Sequence, residues 1–122
     1  MKKLATTLIL IASSLSFMPC AFAQKDLPKD DASTAAFIEL CKNPSDELGR
    51  SFCFGFGEGV YQGYLANRSL DTKPTICFAG RSETRNMILQ KFLAWTKANP
   101  QYIQEPAAKT LMRFFADNYP CK

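Results

Sequence analysis

Four cysteines, Cys41, Cys53, Cys77 and Cys121, lie beyond residue 40 of this 122-residue chain. An even number of cysteines in a short exported chain predicts a fold that is held together by disulfide bonds. In a reducing compartment the same four residues would instead suggest a metal site or redox chemistry. The compartment therefore decides what the chain can fold into.

The first 23 residues have the pattern of a cleaved secretory signal peptide. They begin with two lysines, continue in an apolar run from Leu4 to Phe17, and end in the small-x-small site Ala21-Phe22-Ala23. The apolar run is too short to span a bilayer, and no later stretch is long enough to do so. A lipid anchor at Cys20 is disfavoured, because the residues before it are a poor match to such a site. We expect a bacterial, periplasmic protein without an integral membrane segment.

Removal of residues 1–23 leaves 99 residues, which is enough for one domain. We expect residues 24–32 to form a flexible polar leader and residues 33–122 to form a single helical domain. The loss of two lysines lowers the net charge from +4 to +2, and the remaining charges are interspersed. The absence of a basic run argues against a nucleic-acid partner.

Four cysteines allow three pairings, and sequence alone does not select one of them. Local spacing favours Cys41–Cys53 across a short connection and Cys77–Cys121 between the chain end and its middle. The chain contains no C-x-x-C pair and no histidine, which disfavours a zinc site and a thioredoxin-like redox role. We expect no metal and no other cofactor.

The hydrophobic pattern predicts an all-α fold, a small bundle of about four helices stapled by two disulfides. The first helix begins after Ser33, and Pro44 follows its end. Apolar residues at helical spacing predict a further helix between Ser82 and Asn99. Pro106 stands where a first-turn proline belongs and opens the last helix. No stretch alternates cleanly enough to predict a sheet.

The remaining helix, from about Asp46 to Asn67, contains an unusual run of glycines. Gly55, Gly59 and Gly63 are each four residues apart and lie beside a second ridge of bulky residues. A dinucleotide-binding loop would need a glycine where Val60 stands, so we exclude a phosphate cradle. The spacing predicts a central helix whose bare ridge admits a neighbouring helix, or a partner protein, close to its backbone.

Catalysis finds little support in this sequence. The commonest general base, histidine, is absent, and no serine or cysteine has an obvious activating partner. Glu58 is isolated from other acidic residues and is best explained as part of a solvated helix face. We therefore expect a protein that is not an enzyme.

Several motifs resemble the Rap/Tai family of type VI secretion immunity proteins. Cys53-Phe54-Gly55-Phe56-Gly57-Glu58-Gly59 is similar to the C-x-G-[YF]-x-x-G signature of that family. The later motifs follow in the family's order: Ile76-Cys77, Asn99-Pro100, Ala107-Ala108 and Tyr119-Pro120-Cys121. The resemblance covers the chain from about Cys41 to its end.

The resemblance implies a small, helical, disulfide-bonded periplasmic protein that binds another protein. Members of the family bind peptidoglycan amidases delivered by the type VI secretion system, occlude their active-site cleft and often form dimers. A cell-wall amidase effector is therefore the expected partner, and a homodimer is compatible with the family. The alternative is a periplasmic stress or chaperone-like binding protein that has no toxin partner.

The polar connection from Arg68 to Thr75 is the candidate contact surface for such a partner. Arg68, Asp71, Lys73 and Pro74 can offer hydrogen bonds from a segment that Cys77 anchors at its far end. A segment that is already ordered loses little entropy when it binds.

Overall fold

A computed structural model describes residues 31–78 and 80–122. The predicted signal peptide, residues 1–23, and residues 24–30 of the predicted leader lie outside this part of the chain. The helices are α1 (Thr34–Cys41), α2 (Glu47–Asn67), α3 (Arg85–Ala98) and α4 (Ala107–Asn118), with a short 3-10 helix at Pro100–Tyr102. Two isolated bridges are the only β-type pairings among the described residues. The predicted all-α fold is confirmed.

Three of the four helices begin at a residue whose side chain accepts a backbone hydrogen bond. Ser33, Asp46 and Thr84 cap α1, α2 and α3, with donor–acceptor distances of 3.2, 3.0 and 3.2 Å. Such caps satisfy backbone N–H groups that have no partner within the helix. The helix starts were predictable because these signals are local. None of the described helices is long and apolar enough to cross a membrane.

The N-terminus of α4 is capped by backbone from the start of α1 instead of by a side chain. Pro106 precedes the helix by one residue, and the Ala107 amide donates to the Ala32 carbonyl at 2.8 Å. In return the Thr34 amide donates to the Glu105 carbonyl at 2.8 Å. The buried hydroxyls of Thr34 and Thr110 lie 2.7 Å apart. The two helix starts are therefore joined by reciprocal hydrogen bonds.

The helix that buries the most residues is α4. Its apolar face, which repeats at helical spacing, supplies five buried residues: Ala107, Thr110, Leu111, Phe114 and Phe115. In contrast, α2 is longer but buries only Gly49 and Cys53 fully. The expectation that α2 is the central helix stays a prediction: α2 packs against each of the other three helices, although α4 supplies more of the fully buried residues. The glycines of α2 offer little side-chain surface to bury, whereas α4 carries large apolar residues on one face.

Both predicted disulfides are confirmed. Cys41–Cys53 joins the end of α1 to α2, and Cys77–Cys121 joins the α2–α3 connection to the chain end. Backbone hydrogen bonds flank the second disulfide: the Cys77 amide donates to Tyr119 at 2.9 Å, and the Cys121 amide donates to Thr75 at 3.0 Å. The α2–α3 connection is therefore fixed firmly at its far end.

Removal of either disulfide is expected to destabilise the domain. The two closed loops differ in length, with sequence separations of 12 and 44 residues. Loop-closure entropy then predicts losses of about 3 kcal/mol for the Cys41→Ala, Cys53→Ala double variant and about 4 kcal/mol for Cys77→Ala, Cys121→Ala. Denaturant unfolding of the two variants beside the wild type measures both values. An equal or reversed order would contradict a mainly entropic contribution.

Stability is expected to fall at alkaline pH because of Tyr119. Burial, and then the nearby Glu83 carboxylate, raise the pKa of this phenol from 10.0 to about 12. Above pH 10 the unfolded chain loses the Tyr119 proton while the folded chain retains it. The contribution of Tyr119 to the free energy of unfolding is therefore fully present below about pH 10. It decreases by about 2–3 kcal/mol as the pH rises towards 12.

Denaturant unfolding at a series of alkaline pH values measures this loss. Tyr119→Phe removes the ionisable hydroxyl but keeps the ring among its aromatic neighbours, so its pH profile should be flatter. Identical profiles for the variant and the wild type would show that Tyr119 is not the responsible group.

Candidate functional site

The connection from Arg68 to Thr75, called here the 68–75 turn, is ordered by its own hydrogen bonds. The amide and the hydroxyl of Thr72 both donate to the Ser69 carbonyl, at 3.1 and 2.8 Å. The Arg68 guanidinium donates to the Thr72 carbonyl at 2.7 Å. These bonds close a compact loop at the C-terminal end of α2.

The base of the 68–75 turn is held by the Tyr64 hydroxyl. This oxygen accepts from the amides of Thr75 and Ile76, at 2.7 and 3.3 Å, and lies 3.1 Å from the Thr75 hydroxyl. The hydrogen bond with the Thr75 side chain is the main reason that the pKa of Tyr64 lies below its ordinary value. Together with the Cys77–Cys121 disulfide, Tyr64 ties the end of the turn to α2.

The four residues that the sequence suggested as contacts differ in their exposure to solvent. Asp71 and Lys73 are exposed, whereas Arg68 and Pro74 are half-buried. Because its guanidinium is bonded to the Thr72 carbonyl, Arg68 braces the turn. Direct contact of Arg68, Asp71, Lys73 and Pro74 with a partner stays a prediction.

Leu70 is the residue of this turn that sequence reasoning missed. Its side chain is 92% exposed, the largest value among the exposed large hydrophobic residues of the described chain. A single exposed leucine is common on protein surfaces. Its position in an internally braced turn makes this leucine a candidate anchor. The only signal in the sequence was one apolar residue within an otherwise polar connection.

The glycine stripe, Gly55, Gly59 and Gly63 of α2, faces away from the rest of the described chain. A Cβ atom built at any of these three positions would meet nothing within 4 Å. The spacing predicted that either a neighbouring helix or a partner protein packs against the stripe. The first of these alternatives is wrong, because no helix of the described chain packs there. Contact of the stripe with a partner protein stays a prediction.

The aromatic ridge beside the stripe explains how α2 packs without its glycines. Phe56 lies 4.9 Å, between ring centroids, from Phe37 of α1, and Phe52 lies 5.8 Å from Phe56. Phe52 remains 42% exposed. Thus α2 packs through its aromatic side chains and leaves the glycine stripe at the surface.

Within residues 31–78 and 80–122, no group of three or more metal-ligating side chains could hold a metal ion. Glu58 of α2 is exposed, and its carboxylate accepts a hydrogen bond from the Gln62 amide at 3.0 Å.

Comparison with known protein families supplies one match. The family model described as Rap1a immunity proteins matches residues 33–121. Comparison with curated proteins and with solved structures gives no match.

The glycines of α2 are expected to differ in their tolerance of a side chain. A Cβ at Gly49 would lie 2.7 Å from the Leu40 carbonyl oxygen, so Gly49→Ala should destabilise the domain by more than about 1 kcal/mol. Gly59 has open space, and Gly59→Ala should stabilise the helix by up to about 1 kcal/mol. Denaturant unfolding of the two variants measures both effects. Loss of stability in Gly59→Ala would show that the stripe is packed.

Proposed function

Because the chain belongs to the Rap1a immunity protein family, we propose that it is an exported immunity protein that binds and occludes a peptidoglycan amidase. The amidase would be a toxin delivered by the type VI secretion system, and the complex would form in the periplasm. The family match is the observation that carries the immunity function. The amidase and the compartment are proposed from the resemblance to Rap/Tai proteins and from the predicted signal peptide.

Occlusion of an enzyme requires shape and rigidity but no chemistry in the inhibitor. The 68–75 turn meets this requirement, because hydrogen bonds within it and at its base hold it before any partner arrives. Little conformational entropy remains to be lost on binding. We propose that this turn enters the amidase cleft, with Leu70 as its apolar contact and with Asp71 and Lys73 as polar contacts.

The surface of α2 is proposed as a second contact, with another copy of the chain. The glycine stripe leaves the helix backbone open to close approach, and the partly exposed ring of Phe52 lies beside it. Small residues at this spacing allow two helices to pack closely. A dimer formed there would leave the 68–75 turn free to bind an amidase.

Replacement of Leu70 tests the proposed contact. Leu70→Glu should leave the stability within about 0.5 kcal/mol, since the side chain is almost fully exposed, but should weaken amidase inhibition at least about tenfold. Leu48→Glu is the matched control, because Leu48 is 75% exposed at the other end of α2. Inhibition titrations of candidate type VI amidases, together with denaturant unfolding, measure the two effects separately.

A second variant replaces residues 69–75 by a Gly/Ser stretch of equal length. Normal folding with lost inhibition supports the proposed contact, and unchanged inhibition places the contact elsewhere on the domain. If the wild-type protein inhibits no type VI amidase, the proposed function is wrong and the chaperone-like alternative gains support.

A further inference from the structure

An apolar cleft opens between α2 and α3, beside the surfaces considered so far. Its volume is about 210 Å³. The buried side chains of Phe92, Leu111 and Phe115 form part of its lining, and the partly exposed rings of Phe54, Tyr61 and Phe78 form another part. Gly57 of α2 also lines the cleft, and no side chain fills the space over it, since a Cβ atom built there would meet nothing within 4 Å.

The size of the cleft matches one large apolar side chain. An engineered apolar protein cavity of about 150 Å³ holds a benzene molecule. A cleft of about 210 Å³ therefore accommodates a phenylalanine or leucine side chain but not a ligand of drug size. Water would find few hydrogen-bond partners against such walls, so an apolar occupant would displace it favourably.

Two opposite charges line the cleft from different helices. Glu58 projects from α2, and Arg85 is the first residue of α3. Both side chains are exposed. A cation at the start of a helix is opposed by the helix dipole, so Arg85 gains no local stabilisation from its position. The site thus combines an apolar interior with one acidic and one basic group.

From this geometry we propose that the cleft binds a segment of a partner protein that inserts one large apolar side chain. The inserted side chain is flanked by a basic group that faces Glu58 and an acidic group that faces Arg85. Charges arranged in this way fix the orientation of the segment and select against partners whose charges are reversed.

The cleft adjoins the 68–75 turn through two stacked rings. Tyr61 lines the cleft and lies 6.1 Å, between ring centroids, from Tyr64, whose hydroxyl holds the base of the turn. One partner could therefore contact both features. The identification of this partner as the amidase rests on the proposed function. The binding chemistry of the cleft can be tested independently of that function.

The test measures the binding of short capped peptides to the full domain by NMR. Acetyl-Lys-Phe-Asp-amide should shift amide signals of the α2 and α3 residues that line the cleft. The peptide with alanine in place of phenylalanine should bind at least about tenfold more weakly, because the apolar insertion is lost. No shifts at the cleft, or equal shifts with both peptides, would overturn the proposal.

Two variants probe the interior and the charges independently. Gly57→Leu places a side chain in the cleft and should weaken peptide binding at least about tenfold. The variant should still fold, because leucine has a higher helix propensity than glycine. Gln90→Leu is the control on the facing helix, since Gln90 is exposed on α3 and does not line the cleft. Arg85→Gln should weaken binding of the charged peptide by about threefold or more and reduce its dependence on salt. Unchanged binding by Gly57→Leu, or equal loss in Gln90→Leu, would overturn the proposal.

Amidase inhibition by the wild type and by Gly57→Leu is measured in parallel. Peptide binding without inhibition of any amidase leaves the cleft as a binding site and contradicts the proposed function. Inhibition without peptide binding contradicts only the inference about the cleft.

Discussion

The ring of Phe114 is completely buried and contacts the rings of Phe92, Trp95, Phe115 and Tyr119, with centroid distances of 5.4 to 5.9 Å. Through these contacts α4 is bound to α3 and to the end of the chain. A domain of this size has only a small core, so its stability depends strongly on a few large side chains. Aromatic pairs contribute about 0.5–1.5 kcal/mol each beyond the area they bury. Phe92 also lies 5.8 Å, between ring centroids, from Phe37, so α1, α3 and α4 meet at this cluster.

The position of α2 is fixed by a few attachments along one side of the helix. Interior glycines cost about 1 kcal/mol each relative to alanine, so α2 is a poor helix by local propensity. It is held by the Cys41–Cys53 disulfide, by the ring of Phe56 against α1, and by Tyr64 at the base of the 68–75 turn. These attachments use one side of the helix. Its glycine stripe and the cleft beside Gly57 are left open to other molecules.

A protein that blocks an enzyme is served best by surfaces that are rigid before binding. The 68–75 turn is connected at one end to a long helix and at the other to the disulfide Cys77–Cys121, which holds it against the chain end. The cleft is lined by residues of all four α-helices, several of which belong to the core. Contacts made from such surfaces lose little conformational entropy, which is consistent with the proposed role of a small domain that binds without catalysis.

The sequence by itself determined the features that depend on neighbouring residues. Helix starts at Ser33 and at about Asp46 were predicted because a cap acts within one turn, whereas the third helix was predicted from Ser82 and is capped at Thr84. Spacing favoured the observed disulfides. Periodicity shows which face of a helix is apolar, but it does not show which helix will cover that face. Only the tertiary structure decided that α4 buries more residues than any other helix and that the glycine stripe faces outward. It alone brought Glu58 and Arg85, which are far apart in the chain, to one cleft, because packing joins residues that no local signal connects.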